Sequence, residues 1–210
     1  MPLPYPWPMD LFEQRDEEPL PLPDADVRLL RRPVLPLPAA QVMARLLEET
    51  PWATREIRLF GKTLPEPRES AWYGDPGTEY RYSGLLLHPL PWTPLLQQLR
   101  EAVERASGSR FNSVLLNHYR NEQDSMGMHA DDEPELGQRP VIASLSLGAE
   151  RVLTFRHRYD RALKPLRVPL ADGSLLLMAG DTQRYWKHGI AKLSRPCGPR
   201  LNLTFRQIRT

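Results

Sequence analysis

The chain has 210 residues, 40% of them hydrophobic, which is enough for one good-sized domain with its own core. Its formal net charge of +2 is too small to indicate nucleic-acid binding by itself, and its single cysteine, Cys197, excludes an internal disulfide and a Cys-x-x-Cys metal site. No secretory leader pattern opens the sequence, and no run approaches the roughly 18 apolar residues of a membrane span. We therefore predict a soluble, cytoplasmic protein without a membrane partner.

Proline is concentrated near the N-terminus. The chain contains 23 prolines, about twice the usual share, and many of them fall in the stretches MPLPYPWP and EEPLPLPD. Such a composition favours extended chain over packed structure. We predict a proline-rich arm with little regular structure over residues 1–24, and a single domain over residues 25–210.

Two helices are predicted in the first half of the domain. Residues 38–51, PAAQVMARLLEETP, carry a proline at each end and a partly apolar face. A second helix is better marked, because Thr93 is a suitable N-cap, Pro94 suits the first turn and Gly108 suits the C-terminal end. The apolar stripe of this second helix consists of Leu95, Leu96, Leu99 and Val103.

The other patterned segments are short and strand-like, and turn residues such as Asp172-Gly173 and Gly180-Asp181 separate them. Two helices accompanied by many short strands indicate a mainly β fold with flanking helices, a β-sandwich or jelly roll with the helices packed on one face. The predicted strands cover residues 55–61, 79–84, 113–120, 141–147, 151–158, 174–178 and 200–206.

The last of these segments, RLNLTFR, has two chemically different faces. A strand sends alternate side chains to opposite sides, so three apolar residues lie on one face and four polar residues, with an arginine at each end, on the other. If the polar face is turned to solvent, the segment is an ordinary edge strand. If the apolar face packs in a core instead, the polar face lines a cavity whose ligand is anionic.

Three residues form a candidate metal site. His129 and Asp131, in MHADDE, project from the same face of an extended segment, and His188 lies in YWKHG. Two imidazoles and one carboxylate suit non-haem Fe(II), because three adjacent coordination positions stay available for a co-substrate and dioxygen. Zinc accepts the same ligands together with a water molecule, and an isolated histidine in such a motif is more often a surface or core residue.

The last strand follows His188 by a dozen residues, so its polar face can look into the same cavity. We expect one of Arg200 and Arg206 to pair with the distal carboxylate of a metal-bound dicarboxylate, and the other to lie nearer the metal. In SVLLNHYR, Asn117 and Tyr119 share a strand face and could donate hydrogen bonds to the same anion. The alternative for these two residues is a strand of mixed polarity.

Taken together, NHY, HADDE, the histidine of YWKHG and RLNLTFR resemble the AlkB family of Fe(II)/2-oxoglutarate-dependent dioxygenases, which remove alkyl groups from nucleic-acid bases. The order and spacing match from roughly residue 55 to the end of the chain. The segments IRLFGK, WYGDPG, YRYSG, SLSLGAERVLTFRH and PRLNLTFRQI are most similar to the branch that repairs double-stranded DNA. Each motif alone is weak, and it is their combination that is specific for this family.

This resemblance implies a double-stranded β-helix that binds iron through His129, Asp131 and His188. It also implies that the enzyme uses 2-oxoglutarate and O2, hydroxylates the N-methyl carbon of the base, and releases formaldehyde, succinate and CO2. The residues that would hold 2-oxoglutarate are Asn117, Tyr119, Arg200, Asn202, Thr204 and Arg206.

A methyl group on the pairing edge of a base is inaccessible inside a duplex, so the base must leave the stack. Phe60 matches the intercalating finger of the family branch, although it could equally be a core residue at the end of a strand. Tyr80 and Tyr82 could stack on the extruded base or form an ordinary aromatic sheet surface. The residues predicted to bind substrate, within a recognition segment at about 55–90 and after the first metal ligand, are Phe60, Gly61, Lys62, Arg68, Tyr80, Arg81, Tyr82, Asp132 and Glu133.

We expect the acidic and the basic residues of this set at different depths in the substrate pocket. Carboxylates of Asp132 and Glu133 would favour a base that carries positive charge, as 1-methyladenine and 3-methylcytosine do, and they should lie deep in the pocket. Lys62 and Arg68 are predicted at its rim, where solvated surface charge is the alternative. The sequence departs from the double-strand branch between the last iron ligand and the first co-substrate arginine, where a basic cluster is replaced by KLSRPCGPR.

The leading prediction is a monomeric dioxygenase that demethylates N-alkylated bases, such as 1-methyladenine and 3-methylcytosine, in DNA. One alternative is the same chemistry on RNA or on a substrate that is not a nucleic acid. Another is a non-catalytic module that binds metal or nucleic acid.

Overall fold

The computed structural model describes residues 17–209 except 60, 61, 79, 83 and 84, with side chains described outside 57–63 and 79–87. Two longer helices lie where the sequence predicts them, α1 over Ala39–Glu49 and α2 over Pro94–Ser107. The α2 helix is capped as expected, because the backbone N–H of Leu96 donates to the Thr93 hydroxyl at 3.2 Å. Gly108 ends it with φ 68°, a left-handed conformation that glycine adopts without strain.

Seven strands form the larger sheet, and each pairs antiparallel with its neighbours. The C-terminal strand lies inside this sheet and is hydrogen-bonded on both sides. In spatial order the strands are β1 (Glu17–Pro19), β2 (Asp26–Leu30), β13 (Leu175–Ala179), β10 (Ile142–Gly148), β15 (Arg200–Arg206), β8 (Ser113–Tyr119) and β5 (Glu69–Gly74).

Four strands form the smaller sheet, which faces the larger one. In spatial order they are β12 (Leu166–Leu170), β11 (Arg151–His157), β14 (Trp186–Ile190) and β9 (Met126–His129). Two further strand pairs are β3 (Glu56–Leu59) with β4 (Lys62–Pro65), and β6 (Tyr80–Tyr82) with β7 (Leu85–Leu87). One helical turn, α3 (Thr182–Tyr185), connects β13 to β14.

Two hydrophobic cores hold these layers together. One lies between the larger sheet and the two helices, where Leu203 and Phe205 of β15 pack with Leu46 and Leu99. The other lies between the two sheets and contains Phe155, Trp186 and other apolar residues. Burying both faces of the larger sheet is what makes all seven residues of β15 buried. The predicted mainly β jelly roll with helices on one face is confirmed.

The sequence missed several strands. Residues 17–19 form β1 and pair with β2, so the arm predicted to have little regular structure contains one short strand; residues 1–16 of the arm lie outside the described part. The strands β2, β5, β9, β12 and β14 were not predicted either, because they are short or lack a regular alternation. Among the described residues, no helix is long and apolar enough to cross a membrane.

Candidate metal centre and adjoining cavities

The structure brings His129, Asp131 and His188 together at the end of the smaller sheet. His129 is the last residue of β9 and lies directly opposite His188 on β14, and Asp131 follows two residues after His129. Each residue offers one ligand atom, and these atoms all lie within 4.8 Å of one another. The pairing of two neighbouring strands therefore joins residues that are far apart in the chain.

Hydrogen bonds orient these three side chains. The Nδ1 of His129 donates to the carbonyl of Gly127 at 3.0 Å, which leaves Nε2 as the nitrogen with a lone pair. One oxygen of Asp131, Oδ1, accepts from Arg206 Nη2 at 2.7 Å, whereas Oδ2 is buried without a hydrogen-bond partner among the described residues. The backbone N–H of Asp131 donates to the side chain of Gln183 in α3. Gln183 thus positions a candidate ligand, a role that nothing in the sequence marked.

The electrostatics of this cluster suit a divalent cation. Burial lowers the pKa of His188 to about 3, so its imidazole is neutral near neutral pH. Burial alone would raise the pKa of Asp131, but Arg206, His129 and His188 together hold it well below its usual range. Two imidazoles and an ionised carboxylate with an oxygen left unpaired are a donor set for Fe(II).

A small cavity of about 30 Å³ adjoins the metal ligands on the side of β15. All four polar residues of β15 line it, while its three apolar residues pack in the core with the helices. The polar face of RLNLTFR therefore lines a cavity inside the protein and is not turned to solvent. Apolar side chains close the cavity on the other side: Met126, Leu153, Leu170, Met178 and Ile190.

Arg200 lines this cavity and has two buried donors left over. Its residue is 2% exposed, and its Nη2 donates to the Ser146 hydroxyl at 2.9 Å. Its Nε and Nη1 are buried and have no partner among the described residues. Its guanidinium carbon lies 5.1 Å from the centre of the Tyr119 ring. Burial lowers the pKa of Arg200. A buried guanidinium with two unpaired donors is well suited to bind an anion.

The other residues on the polar face of β15 are already joined to the protein. Arg206 pairs with Asp131 next to the metal ligands. Asn202 donates to the Ser144 hydroxyl at 2.7 Å and accepts from Thr204 at 3.0 Å. The geometry therefore separates the two arginines, with Arg206 at the metal end and Arg200 at the far end of the cavity.

A second, larger cavity of about 460 Å³ also adjoins two of the metal ligands, His129 and Asp131. Four residues line both cavities: Met126, His129, Asp131 and Arg206.

Asn117 and Tyr119, which were predicted to bind the same anion, line different cavities. Tyr119 lines the small cavity and Asn117 lines the large one. The Oδ1 of Asn117 accepts from Arg68 Nε at 2.7 Å, and its Nδ2 is buried without a partner among the described residues.

Two of the positions expected for substrate-binding residues are wrong. Arg68 does not lie at a rim, because Glu66 and Asn117 hold its side chain inside the large cavity, where the residue is 4% exposed. Asp132 does not lie deep in the pocket, because Arg158 pairs with it at 2.6 Å and its side chain is 49% exposed. Glu133 does line the large cavity, and one of its oxygens is buried.

The other residues predicted to contact the substrate, or their side chains, fall outside the described part of the structure. Phe60 and Gly61 lie outside the described residues, as do the side chains of Lys62, Tyr80, Arg81 and Tyr82. The large cavity also has walls that the sequence did not single out, among them Arg55, Glu66, Ser70, Trp72, Leu115 and Met128. Of these, only the i, i+2 spacing of Glu66 and Arg68 carried a signal, since it puts both on one face of an extended segment.

Comparison with known proteins supports an oxygenase. The family model of the 2OG-Fe(II) oxygenase superfamily matches residues 26–206. The chain is 41% identical over 174 residues to the DNA oxidative demethylase ALKBH2 of Homo sapiens, a match that covers 80% of this chain and 67% of that protein. It is 40% identical over 178 residues to the alpha-ketoglutarate-dependent dioxygenase alkB homolog 3 of Bos taurus, covering 81% of this chain and 62% of that protein.

A plant relative and a solved structure agree with these matches. The DNA oxidative demethylase ALKBH2 of Arabidopsis thaliana is 36% identical over 183 residues, which cover 75% of this chain and 58% of the relative. The chain thus spans about two thirds or less of these relatives. A solved structure titled "The structure of OsALKBH1" has a TM-score of 0.62 at 17% identity, covering 86% of this chain and 96% of that one, and shows the shared fold.

Proposed function

The chain belongs to the 2OG-Fe(II) oxygenase superfamily and, within it, to the AlkB family, and from this premise we propose that it oxidatively demethylates N-alkylated bases in DNA. One observation carries the proposal: the candidate metal ligands His129 and Asp131 line two cavities of different chemistry. The small one ends in a buried arginine with unpaired donors, and the large one falls within the roughly 300–1,000 Å³ typical of small-molecule sites.

In this proposal His129, Asp131 and His188 hold Fe(II). With 2-oxoglutarate and O2, iron bound there would supply the oxidation of the N-methyl carbon, and the products would be succinate, CO2 and formaldehyde. Arg206 keeps Asp131 ionised and oriented, because it is both a hydrogen-bond donor and a buried positive charge. The protein contributes geometry, charge and the exclusion of water.

The small cavity would bind 2-oxoglutarate by its two carboxylates at opposite ends. Arg200 would grip the distal carboxylate through Nε and Nη1, with Tyr119 beside it. Asn202 and Thr204 would line the middle of the co-substrate, and Asn117 would approach its metal end from the large cavity. Apolar walls keep water away from the reacting atoms, which strengthens each charged hydrogen bond.

The large cavity would accept the alkylated base after it leaves the DNA stack. Trp72, Leu115 and Met128 provide apolar surface for a flat ring, and Glu133 provides a carboxylate. We place the nucleotide-recognition segment at about 55–90, where Phe60 would fill the gap in the stack, Tyr80 and Tyr82 would contact bases, and Gly61, Lys62 and Arg81 would adjoin the DNA. In this proposal residues 25–210 act as a monomeric dioxygenase domain in the cytoplasm.

The proposal is tested by succinate and formaldehyde release from the iron-loaded protein with 2-oxoglutarate and oligonucleotides containing 1-methyladenine or 3-methylcytosine. We expect both products in equal amounts with methylated DNA, and neither from the His129→Ala variant. Matched single-stranded DNA, duplex DNA and RNA distinguish the substrate classes. Unimpaired DNA binding without any product would indicate a non-catalytic module, and faster turnover on RNA would replace DNA as the substrate.

Replacing Phe60 with alanine should lower repair of methylated duplex more than repair of methylated single strand. A duplex requires an apolar side chain to occupy the position of the extruded base, whereas a single strand does not. The measurement is the ratio of kcat/KM on the two substrates, with the Phe111→Ala variant, which removes a core aromatic residue, as the control for general destabilisation. Equal losses on both substrates would remove the wedge role.

A further inference from the structure

The large cavity contains a buried carboxylate whose second oxygen is unpaired. Glu66 is 3% exposed and lines this cavity in the segment between β4 and β5. Its Oε1 accepts from Arg68 Nη2 at 3.0 Å, whereas its Oε2 is buried and has no partner among the described residues. An ionised carboxylate accepts hydrogen bonds and donates none, so Oε2 can accept a hydrogen bond from a ligand.

The position of Glu66 is fixed from several sides. The guanidinium of Arg68 also donates to Asn117 Oδ1 at 2.7 Å and approaches the carbonyl of Ser125 at 3.4 Å. The backbone N–H of Glu66 donates to the carbonyl of Arg55 at 2.7 Å. This network joins the carboxylate, through Arg68, to Asn117 of β8 and to Ser125, which directly precedes the strand that ends at His129. An acceptor fixed in this way can select a partner by geometry.

Two donor-bearing groups in the same cavity also lack partners. The hydroxyl of Ser70 and the Nδ2 of Asn117 are buried and unpaired among the described residues, and both residues line the cavity with Glu66. Several unpaired polar atoms in one cavity indicate that it accommodates a polar ligand edge, since buried polar groups are normally satisfied. Of the two carboxylates first expected to favour a cationic base, Glu133 also lines this cavity, whereas Asp132 is exposed and paired with Arg158.

We propose that Glu66 selects the substrate by accepting a hydrogen bond from the exocyclic amino group of the alkylated base. This inference rests on the proposed function and assigns the base-reading role to a residue outside the metal and co-substrate sites. In 3-methylcytosine an amino group lies beside the methylated nitrogen and the ring is cationic. In 3-methyluracil the same position carries a carbonyl oxygen, which would face the carboxylate and repel it.

The test compares these two bases, whose heavy atoms differ only in the exocyclic group at that position, which also sets the charge of the ring, in otherwise identical single-stranded oligonucleotides. Wild type should prefer 3-methylcytosine, and Glu66→Gln should lower the ratio of kcat/KM values by about tenfold, because a hydrogen bond to a charged group is lost and the amide can donate to the carbonyl instead. A ratio is independent of the folded fraction, since both substrates meet the same preparation. An unchanged ratio in an active Glu66→Gln variant would overturn the proposal.

Two further variants separate this role from others. Glu69→Gln removes a partly exposed carboxylate that pairs with His118 and lines neither cavity, so the ratio should stay at the wild-type value. The double variant Glu66→Gln/Arg68→Gln removes both partners of the buried pair and leaves the net charge unchanged. The lowered ratio should persist in it, whereas a return to the wild-type ratio would assign the effect to the uncompensated charge of Arg68 and refute the inference.

Equilibrium binding separates this proposal from the proposed function. The affinities of metal-free protein for the two oligonucleotides should show the same preference, and Glu66→Gln should reduce it. If no product forms from either base in wild type but the binding preference depends on Glu66, the demethylase proposal fails and the selection by Glu66 stands. Equal affinities for the two bases in wild type would remove the selection itself.

Discussion

Replacing Asp131 with alanine is expected to abolish specific iron binding and to lower demethylation by more than about 100-fold, since outer-shell partners alone are commonly worth 10–100-fold. The substitution removes one of the three converging ligands and also the partner of Arg206, whose Nη2 lies 2.7 Å from Oδ1. It leaves a buried guanidinium beside two histidines, a loss of about 3–5 kcal/mol in the free energy of unfolding. Metal titration and chemical denaturation of the metal-free protein measure the two effects separately.

Asp131→Asn separates the ligand role from the structural one. The amide oxygen can still accept from Arg206, so the variant should be more stable than Asp131→Ala, while its lost charge still weakens iron binding strongly. Asp132→Asn is the matched control, because the neighbouring carboxylate is exposed and paired with Arg158, away from the metal ligands. Iron binding that survives both substitutions at Asp131 would contradict the assigned ligand set.

Arg200→Ala should raise the KM for 2-oxoglutarate on the order of 100-fold, because removing one partner of a buried, hydrogen-bonded charge pair typically costs 2–5 kcal/mol. Among the described residues, Arg200 and Arg206 are the arginines that line the small cavity, and Arg206 pairs with Asp131. Iron binding should be little changed, since the side chain of Arg200 bonds to Ser146 and packs beside Tyr119. Initial rates over a range of 2-oxoglutarate concentrations, together with metal titration, give the two quantities.

Two comparisons make the Arg200 result specific. Arg200→Lys keeps the charge but offers a point donor instead of a planar fork, so the KM should fall between those of wild type and Arg200→Ala. Arg167→Ala, an exposed arginine on β12, should leave the KM unchanged. A KM for 2-oxoglutarate that Arg200→Ala leaves at the wild-type value would place the distal carboxylate elsewhere.

Much of the fold and of the metal centre was predictable because its signals are local. The alternation of RLNLTFR fixes which side chains of β15 share a face, and the cap and proline at Thr93 and Pro94 fix the start of α2. The strands that carry the ligands were harder to predict. The sequence MGMH of β9 has no alternating pattern, and WKHGI of β14 mixes charge, glycine and apolar residues, so their strand geometry comes from pairing with neighbours.

The parts that failed depend on contacts distant in sequence. Nothing near Asp132 shows that the chain turns its side chain outward to Arg158, 26 residues further on. Nothing near Arg68 shows that Asn117, 49 residues away, holds it inside a cavity. Such pairs form only once the sheets are assembled, and for that reason the charge distribution of the pocket could not be obtained from the pattern of charges along the chain.

The position of β9 in the smaller sheet has a consequence for how the metal is acquired. In the described part of the chain, β9 lies at the margin of that sheet and pairs with β14 on one side. A metal bound by His129 and His188 would join this outer strand to an inner one, so binding would also stabilise the pairing of the two strands. We therefore expect iron exchange to need a local opening of β9 rather than unfolding of the seven-stranded sheet.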